Sequence, residues 1–495
     1  MSNPNFLHGN YPAPRERLTG LFYFLWQGEH GRHQPYDISK ITAAHPDAGQ
    51  HPEAEYWGGV GTYHHWGEPF YGYYYSDDEW VVRRHMKLLV QSGVDFLFFD
   101  TTNAVIYEKN AKLVMRVLQE YHDDGWDIPK VMFYTNTASG QTVQRIYEAI
   151  YQPNFAPDTW FRYEGKPVII AVPEECSAEA REFFNIKLSQ WPNEPDKAGG
   201  WPWMDFVRPQ RAFDNLRGEK ECINVSVAQH PQLRFGDSVL YGETTNRGRA
   251  FHDGANDPAP GAWMKGYNFS EQFDRALEAD CPVTLITGWN EWIAGRWQGI
   301  PERPIMFVDC ANYEYSRDIE MMRGGYFDNY YRLLCEYTAK LHGQPDEHPL
   351  AKGESRFYRG YPDGNFNRNH PGYGTTYINE TGRHSIRGIT VENEGNAALF
   401  TLHTGEKIDL NDGGGTFLTL YVKDESGNVR TFTPDAGEIG ENTVVYRVPL
   451  MQSSGERYLD FKAADSREAI ASDEDFYDHG DVLPLGWQWY RAQLA

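Results

Sequence analysis

Val283-Thr284-Leu285-Ile286-Thr287-Gly288-Trp289-Asn290-Glu291-Trp292 is the stretch on which the fold turns. It begins as an apolar, β-branched run and breaks off at Gly288. A helical pattern over Ser270 to Ala279 precedes it, interrupted by Cys281 and Pro282. A continuous apolar run of this kind suits a strand buried on both faces of a parallel sheet. At its C-terminal side two indoles flank an amide and a carboxylate, and in a barrel of alternating strands and helices that end carries the chemistry. Indoles offer flat apolar faces to sugar rings, while Asn290 and Glu291 offer polar contacts to their edges. The expectation is a carbohydrate-processing site that holds Glu291, with Trp289, Asn290 and Trp292 as its binding groups.

Working outward, the same strand-then-helix pattern recurs upstream. Leu18 to Trp26 reads as a first buried strand ending on Trp26, and Val94 to Asp100 as another, ending on a carboxylate. Pro129 to Asn136, Pro167 to Pro173, Met204 to Val207 and Cys222 to Ala228 follow, the last trailed by Gln229 and His230. Ser76-Asp77-Asp78-Glu79 has the form of a capping box for a helix through Val90, with Gly93 as its stop. Helical stripes also run near Leu113 to Tyr121, Gln141 to Ile150, Ala178 to Leu188 and Tyr326 to Leu341. Seven strands, most alternating with helices, specify an α/β fold of the (β/α)8 barrel type. The eighth strand is expected at Ile305 to Asp309 or between His230 and Phe269. An open doubly wound sheet is the alternative, but the glycine-rich loop it calls for does not follow the first strand.

The barrel is assigned to residues 1–343 and a polar, proline-containing linker to 344–352. From 353 to 495 the periodicity changes to two: Ala397 to Thr404, Thr416 to Lys423, Thr443 to Pro449 and Arg457 to Ala463 alternate between glycine-rich turns. That pattern predicts an accessory antiparallel β-sandwich, which would bind sugar, cover the barrel or meet a neighbouring subunit. A homo-oligomer therefore stays open.

Acidic residues outnumber basic ones 70 to 46, for a net charge of −24, which argues against nucleic acid and anionic membranes as partners. No apolar stretch reaches membrane-spanning length. Residues 1–20 lack the apolar core of a signal peptide, so the chain as given reads as soluble and cytoplasmic, or as the mature form of an exported protein. The five scattered cysteines do not form a disulfide or zinc pattern and read as small buried hydrophobes. No His/Asp/Glu cluster has metal-ligand spacing, and neither a metal nor a cofactor is expected.

Aromatic residues make up 15% of the chain, and many fall between residues 27 and 75. His64, His65, Trp66 and Tyr71 mark this segment as an ordered loop over the barrel mouth rather than a disordered one. His64 and His65, being adjacent, would point apart in a strand. Glycoside hydrolysis needs two carboxyl groups, one protonated and one ionised. Glu291 is the first candidate and Asp100 the second, the latter having helix capping or a loop amide as its plain structural role. Glu243 is a third, and Glu68 and Glu314 are weaker ones. Arg317 and Asp318 would form a structural ion pair, orient Glu291 or bind hydroxyls. Trp26, Asn136, Gln229 and His230, at predicted strand ends, complete the expected substrate-binding set.

Trp289 to Trp292 on its Ile-Thr-rich strand resembles the endo-α-mannosidase-like glycoside hydrolases of family 99 and the related family 71. The aromatic first strand, the opening Gly93 to Asp95 and the helix after Tyr75-Ser76-Asp77 are similar as well. The resemblance runs over residues 18–340 and implies a (β/α)8 barrel acting on α-linked saccharides without a catalytic metal. It carries one catalytic carboxylate to Glu291. It places the acid three residues further on, where this chain has Ala294. Either Asp100, Glu243 or Glu314 replaces that acid, or the mechanism differs, and retention or inversion stays unassigned. A saccharide-binding protein on a degenerate hydrolase barrel is the competing expectation.

Overall fold

The structure, a computed structural model, describes residues 17–231, 237–242, 245–307, 311–343, 348–360, 366–409, 414–424, 426–434, 437–450 and 457–495. Eight parallel strands form a nearly closed barrel: β1 (Leu18–Tyr23), β2 (Phe96–Thr101), β3 (Lys130–Thr135), β4 (Lys166–Ala171), β5 (Asn185–Gln190), β6 (Gly200–Pro202), β8 (Lys220–Ser226) and β9 (Val283–Thr287). A short antiparallel strand, β7 (Ala212–Asp214), lies beside β8. The Gly199 N–H donates to the Asp214 carbonyl at 2.7 Å, carrying the wall across from β7 to β6. β9 pairs with β1 on one side and β8 on the other, so the quoted stretch is a barrel stave.

Alternation along the strands sorts the core into two layers, as period-two geometry requires. Phe22, Phe96, Phe98, Met132, Val168, Ile170, Trp201, Cys222 and Leu285 fill the interior, while Leu21, Leu97, Phe99 and Ile286 face the helices. Phe22 and Phe98 stack at 4.7 Å across this interior. Gly20 is required there, because a β-carbon would sit 2.2 Å from the Phe96 ring. The outer layer contains α1 (Glu79–Ser92), α2 (Glu108–Asp123), α3 (Ser139–Ile146), α4 (Ala178–Phe183), α5 (Tyr267–Ala279) and α6 (Asn329–His342).

Several expectations are corrected. The eighth strand is Asn185–Gln190, in a region given to a helix, which stops at Phe183. Its sequence hides it: Lys187, Ser189 and Gln190 are buried polar residues satisfied by partners, Lys187 pairing with Glu221 at 2.7 Å. The strand expected at Met204 to Val207 is Gly200–Pro202 instead. Ile305 belongs to a hairpin of Trp297–Ile300 with Arg303–Met306. Ser76 does not cap α1; its hydroxyl donates to the Gln27 side chain at 2.6 Å.

C-terminal to the barrel, two antiparallel sheets face each other. One has the order Ser355–Arg359, Ile386–Asn393, Ala397–Thr404, Thr443–Pro449, Glu438–Ile439. The other is built around Arg457–Ser466, flanked by Thr416–Lys423 on one side and by Asp481–Leu483 and Tyr490–Leu494 on the other. Phe461 joins them, meeting Phe400 at 5.1 Å and Tyr358 at 4.9 Å. This part is bonded to the barrel helices: Gln91 donates to Gln488 at 2.8 Å, and Tyr477 to Asp328 at 2.7 Å. No helix among the described residues is long and apolar enough to cross a membrane. The four described cysteines are buried and unbonded to one another.

Candidate active site

β9 ends at Thr287, and the next four residues are fixed by their own backbone and side chains. The Trp289 N–H donates to the Phe22 carbonyl at 2.7 Å. The Asn290 side chain accepts from the Phe24 N–H at 2.8 Å and donates to the Phe24 carbonyl at 3.1 Å, extending the β1–β9 seam by mimicking a strand. Ile293–Gly295 then pairs antiparallel with Tyr63–His65. Glu291 therefore sits on a rigid mount between two paired segments. Its backbone N–H donates to the Asp318 carboxylate, and its own carboxylate accepts from the Arg317 guanidinium at 2.6 Å. The ion pair is buried, with side chains 5% and 3% exposed. Arg317 lies 5.0 Å over the Trp203 ring.

Asp318 is a support beneath this pair. Burial pushes its carboxyl up to about 7, against the pull of Arg249, the Trp66 indole, the Glu291 N–H and Arg317. Its second oxygen accepts from the Trp66 indole at 2.6 Å. Trp66 stacks on Trp292 at 4.4 Å, and the Trp292 indole donates to Glu320 at 2.6 Å. Glu320 also receives Tyr74 at 2.7 Å and faces the His85 ring at 2.9 Å. Arg249, fully buried against Tyr326 and Tyr330, donates to the Asp318 carbonyl at 2.8 Å.

Trp66, Trp289 and Trp292 are thus fully buried, and their faces are taken by protein: Trp289 packs against His85 and Tyr331. The half-buried indoles at this end of the barrel are Trp26, Trp191 and Trp203. Trp203 meets Trp191 at 5.6 Å and Phe22 at 6.3 Å; Phe24 links Phe22 to Trp26, which touches His30 and Tyr63. The indole N–H groups of Trp26, Trp191 and Trp203 are buried and find no acceptor among the described residues. Trp191 and Trp203 follow β5 and β6, the two strands with the weakest apolar signal, and so sequence reasoning passed over them.

Asp100 shares the inward parity of Phe96 and Phe98, and one carboxylate oxygen accepts from the Thr102 N–H at 3.0 Å and hydroxyl at 2.7 Å. It binds a loop amide and does not cap α2, which starts at Glu108. Asn136, half-buried, accepts from Ser189 at 2.8 Å. His64 and His65 do point apart. His64 packs among Tyr36, Trp57 and Phe307, where burial pushes its imidazole down to about 3. His65 lies between Tyr73 and Tyr373, also lowered by burial. Tyr71 sits at the C-terminal sheets, donating to the Tyr477 carbonyl. Gln229 accepts from Arg208 and Arg247, and the buried His230 ring meets the Tyr315 carbonyl at 2.7 Å. Glu243 lies outside the described residues. Glu314 accepts from the Ala250 N–H at 3.0 Å, and burial raises its carboxyl above the usual range. Ala294 pairs with His64, on the face of the ribbon opposite to Tyr63 and Gly295.

Two cavities lie elsewhere. One of about 570 Å³, between Leu18, Val94, Lys130 and Phe161, is at the N-terminal end of the staves. One of about 490 Å³ borders Lys187, Glu221 and Leu216. Neither contains Glu291, and the strand ends carry the chemistry in barrels of this type.

No family model and no curated protein matches the chain. Among solved structures it is similar to the GH99 endo-α-mannosidase from Bacteroides thetaiotaomicron, at 14% identity and a TM-score of 0.40, covering 65% of this chain and 97% of that one. A glycoside hydrolase-like protein is similar at 12% identity and a TM-score of 0.36, covering 68% of this chain and 98% of that one.

Proposed function

We propose that this chain is a glycoside hydrolase that binds a saccharide over the half-buried indoles of the barrel mouth and uses Glu291 as a catalytic carboxylate. The observation that carries the reading is the Glu291–Arg317 pair at 2.6 Å lying on Trp203, one of the half-buried indoles at this end of the barrel. Sugar C–H faces lie on such rings. A carboxylate held against a guanidinium is placed in the ionised role, as base or nucleophile. Asp100, inward on β2 at the same end, is the proposed acid; Glu243 is the reserve. The pair's separation with substrate bound would set the stereochemistry, roughly 5–5.5 Å for retention and 6.5–9.5 Å for inversion.

A panel of α-linked oligosaccharides tests this by release of reducing ends. A second reading, saccharide binding without hydrolysis, is motivated by Ala294, whose side of the ribbon packs on His64. Calorimetric binding with no reducing-end release across the panel would select it.

A further inference from the structure

We propose that the ligand is an extended saccharide chain, and that Trp297 is a rim platform for residues beyond those at Glu291. This rests on the carbohydrate reading of the mouth. Trp297 is 48% exposed, unusual for an indole, and it is the most exposed described tryptophan. Its position follows from the ribbon Ile293–Gly295/Tyr63–His65, in which Gly295 pairs with Tyr63. Paired residues present their side chains on one face. Gly295 has no side chain there, and the Trp297 indole covers the vacant place: a β-carbon on Gly295 would meet Trp297 Nε1 at 3.1 Å. The Trp297 indole therefore lies on the same face as Tyr63, whose ring is 6.4 Å from that of Trp26.

Aromatic side chains on this side thus continue from the barrel to the rim. Buried Phe24 touches half-buried Trp26, Trp26 touches half-buried Tyr63, and exposed Trp297 lies on the Tyr63 face of the ribbon, so exposure rises toward the rim. The backbone under its outer end is held from behind. The Arg296 guanidinium, directed to the other side, donates to the Gly58 and Pro52 carbonyls, and the Gly61 N–H donates to the Arg296 carbonyl at 2.7 Å. A solvent-facing indole beyond the half-buried Trp26 and Tyr63 suits a chain of several pyranose units rather than a single sugar.

The test uses the full chain with α-linked gluco- and manno-oligosaccharides of two to six residues, titrated calorimetrically. In the wild-type protein the hexasaccharide of the series that binds should be tighter than the disaccharide by at least about tenfold, the scale of one ring-stacking contact. Trp297→Ala should bring that ratio to within about twofold, and Trp297→Phe should restore part of it. Trp203→Ala, at the inner end, should weaken every chain length. A wild-type ratio near one, or a Trp297→Ala protein that keeps the full ratio, overturns the platform. If Trp203→Ala still weakens binding in that case, the mouth reading stands and the platform alone falls. No binding by either series removes both. Circular dichroism and melting of each variant establish that it is folded.

Discussion

The Arg317 guanidinium donates to the Glu291 carboxylate at 2.6 Å while resting on the Trp203 ring. One cation thus links the carboxylate that follows β9 to an aromatic surface that follows β6. The positive charge pairs with Glu291, and the plane of the guanidinium gives the stack.

Arg317→Met should therefore destabilise the fold by about 3–5 kcal/mol, the cost of removing one partner of a buried ion pair. Arg317→Lys keeps the charge but loses the plane, and should fall between the two. Chemical denaturation of the three proteins checks the order. Equal stability of Arg317→Met and wild type would show that the pair is not coupled to folding.

Trp66→Phe isolates the support beneath Glu291. A phenyl ring retains the stack on Trp292 but loses the N–H that donates to Asp318 at 2.6 Å. Leaving that carboxylate short of a donor should cost about 1–3 kcal/mol. Turnover should fall with stability, since Asp318 also holds the Glu291 N–H.

The barrel was legible because its interior strands are apolar runs, with Val283–Thr287 the clearest. Asn185–Gln190 was not, since a strand whose polar side chains are satisfied in the folded protein shows no apolar period in sequence. Of the proposed site, Glu291, Asp100, Arg317 and Trp26 were named from the sequence because they stand at or just beyond strand ends, whereas Trp191 and Trp203 were not. Trp289 and Trp292 looked like sugar platforms because two indoles beside a carboxylate read the same whether they face solvent or core. Contacts from distant segments decided it: Tyr331 for Trp289 and Trp66 for Trp292. Trp203 and Trp297 sit after a three-residue strand and in a hairpin, where periodicity has no length on which to act.

Lys462 gives a pH dependence. It is buried in the C-terminal sheets, 3.9 Å from the Phe476 ring, and donates to the Gly486 carbonyl. Burial pushes its ammonium down to about 7 from 10.5, with Asp473 opposing and Lys423 and Arg332 adding to the fall. The unfolded chain keeps this proton up to about 10.5 while the folded protein releases it near 7. The cost is full below pH 7 and fades as pH rises toward 10.5. Lys462→Met should raise stability by about 1–3 kcal/mol at pH 6 and by less at pH 9. A larger gain at pH 9 would reverse the assignment.

Asp100→Asn separates chemistry from structure at β2. The amide oxygen still accepts from Thr102, so melting should be unchanged. Turnover should drop by roughly 10²–10⁴-fold, and the pH–rate profile should lose one limb. Unchanged turnover would move the acid to Glu243.

Glu291→Gln removes the carboxylate charge at the proposed catalytic position. Glutamine keeps the shape and an oxygen for Arg317 but removes its counter-charge, so stability should fall by up to about 3–5 kcal/mol, while the folded variant should still bind a hydrolysable oligosaccharide. Single-turnover hydrolysis should fall by more than about 10²-fold, the lower range for one acid–base group. A rate within about tenfold of wild type would take Glu291 out of the mechanism.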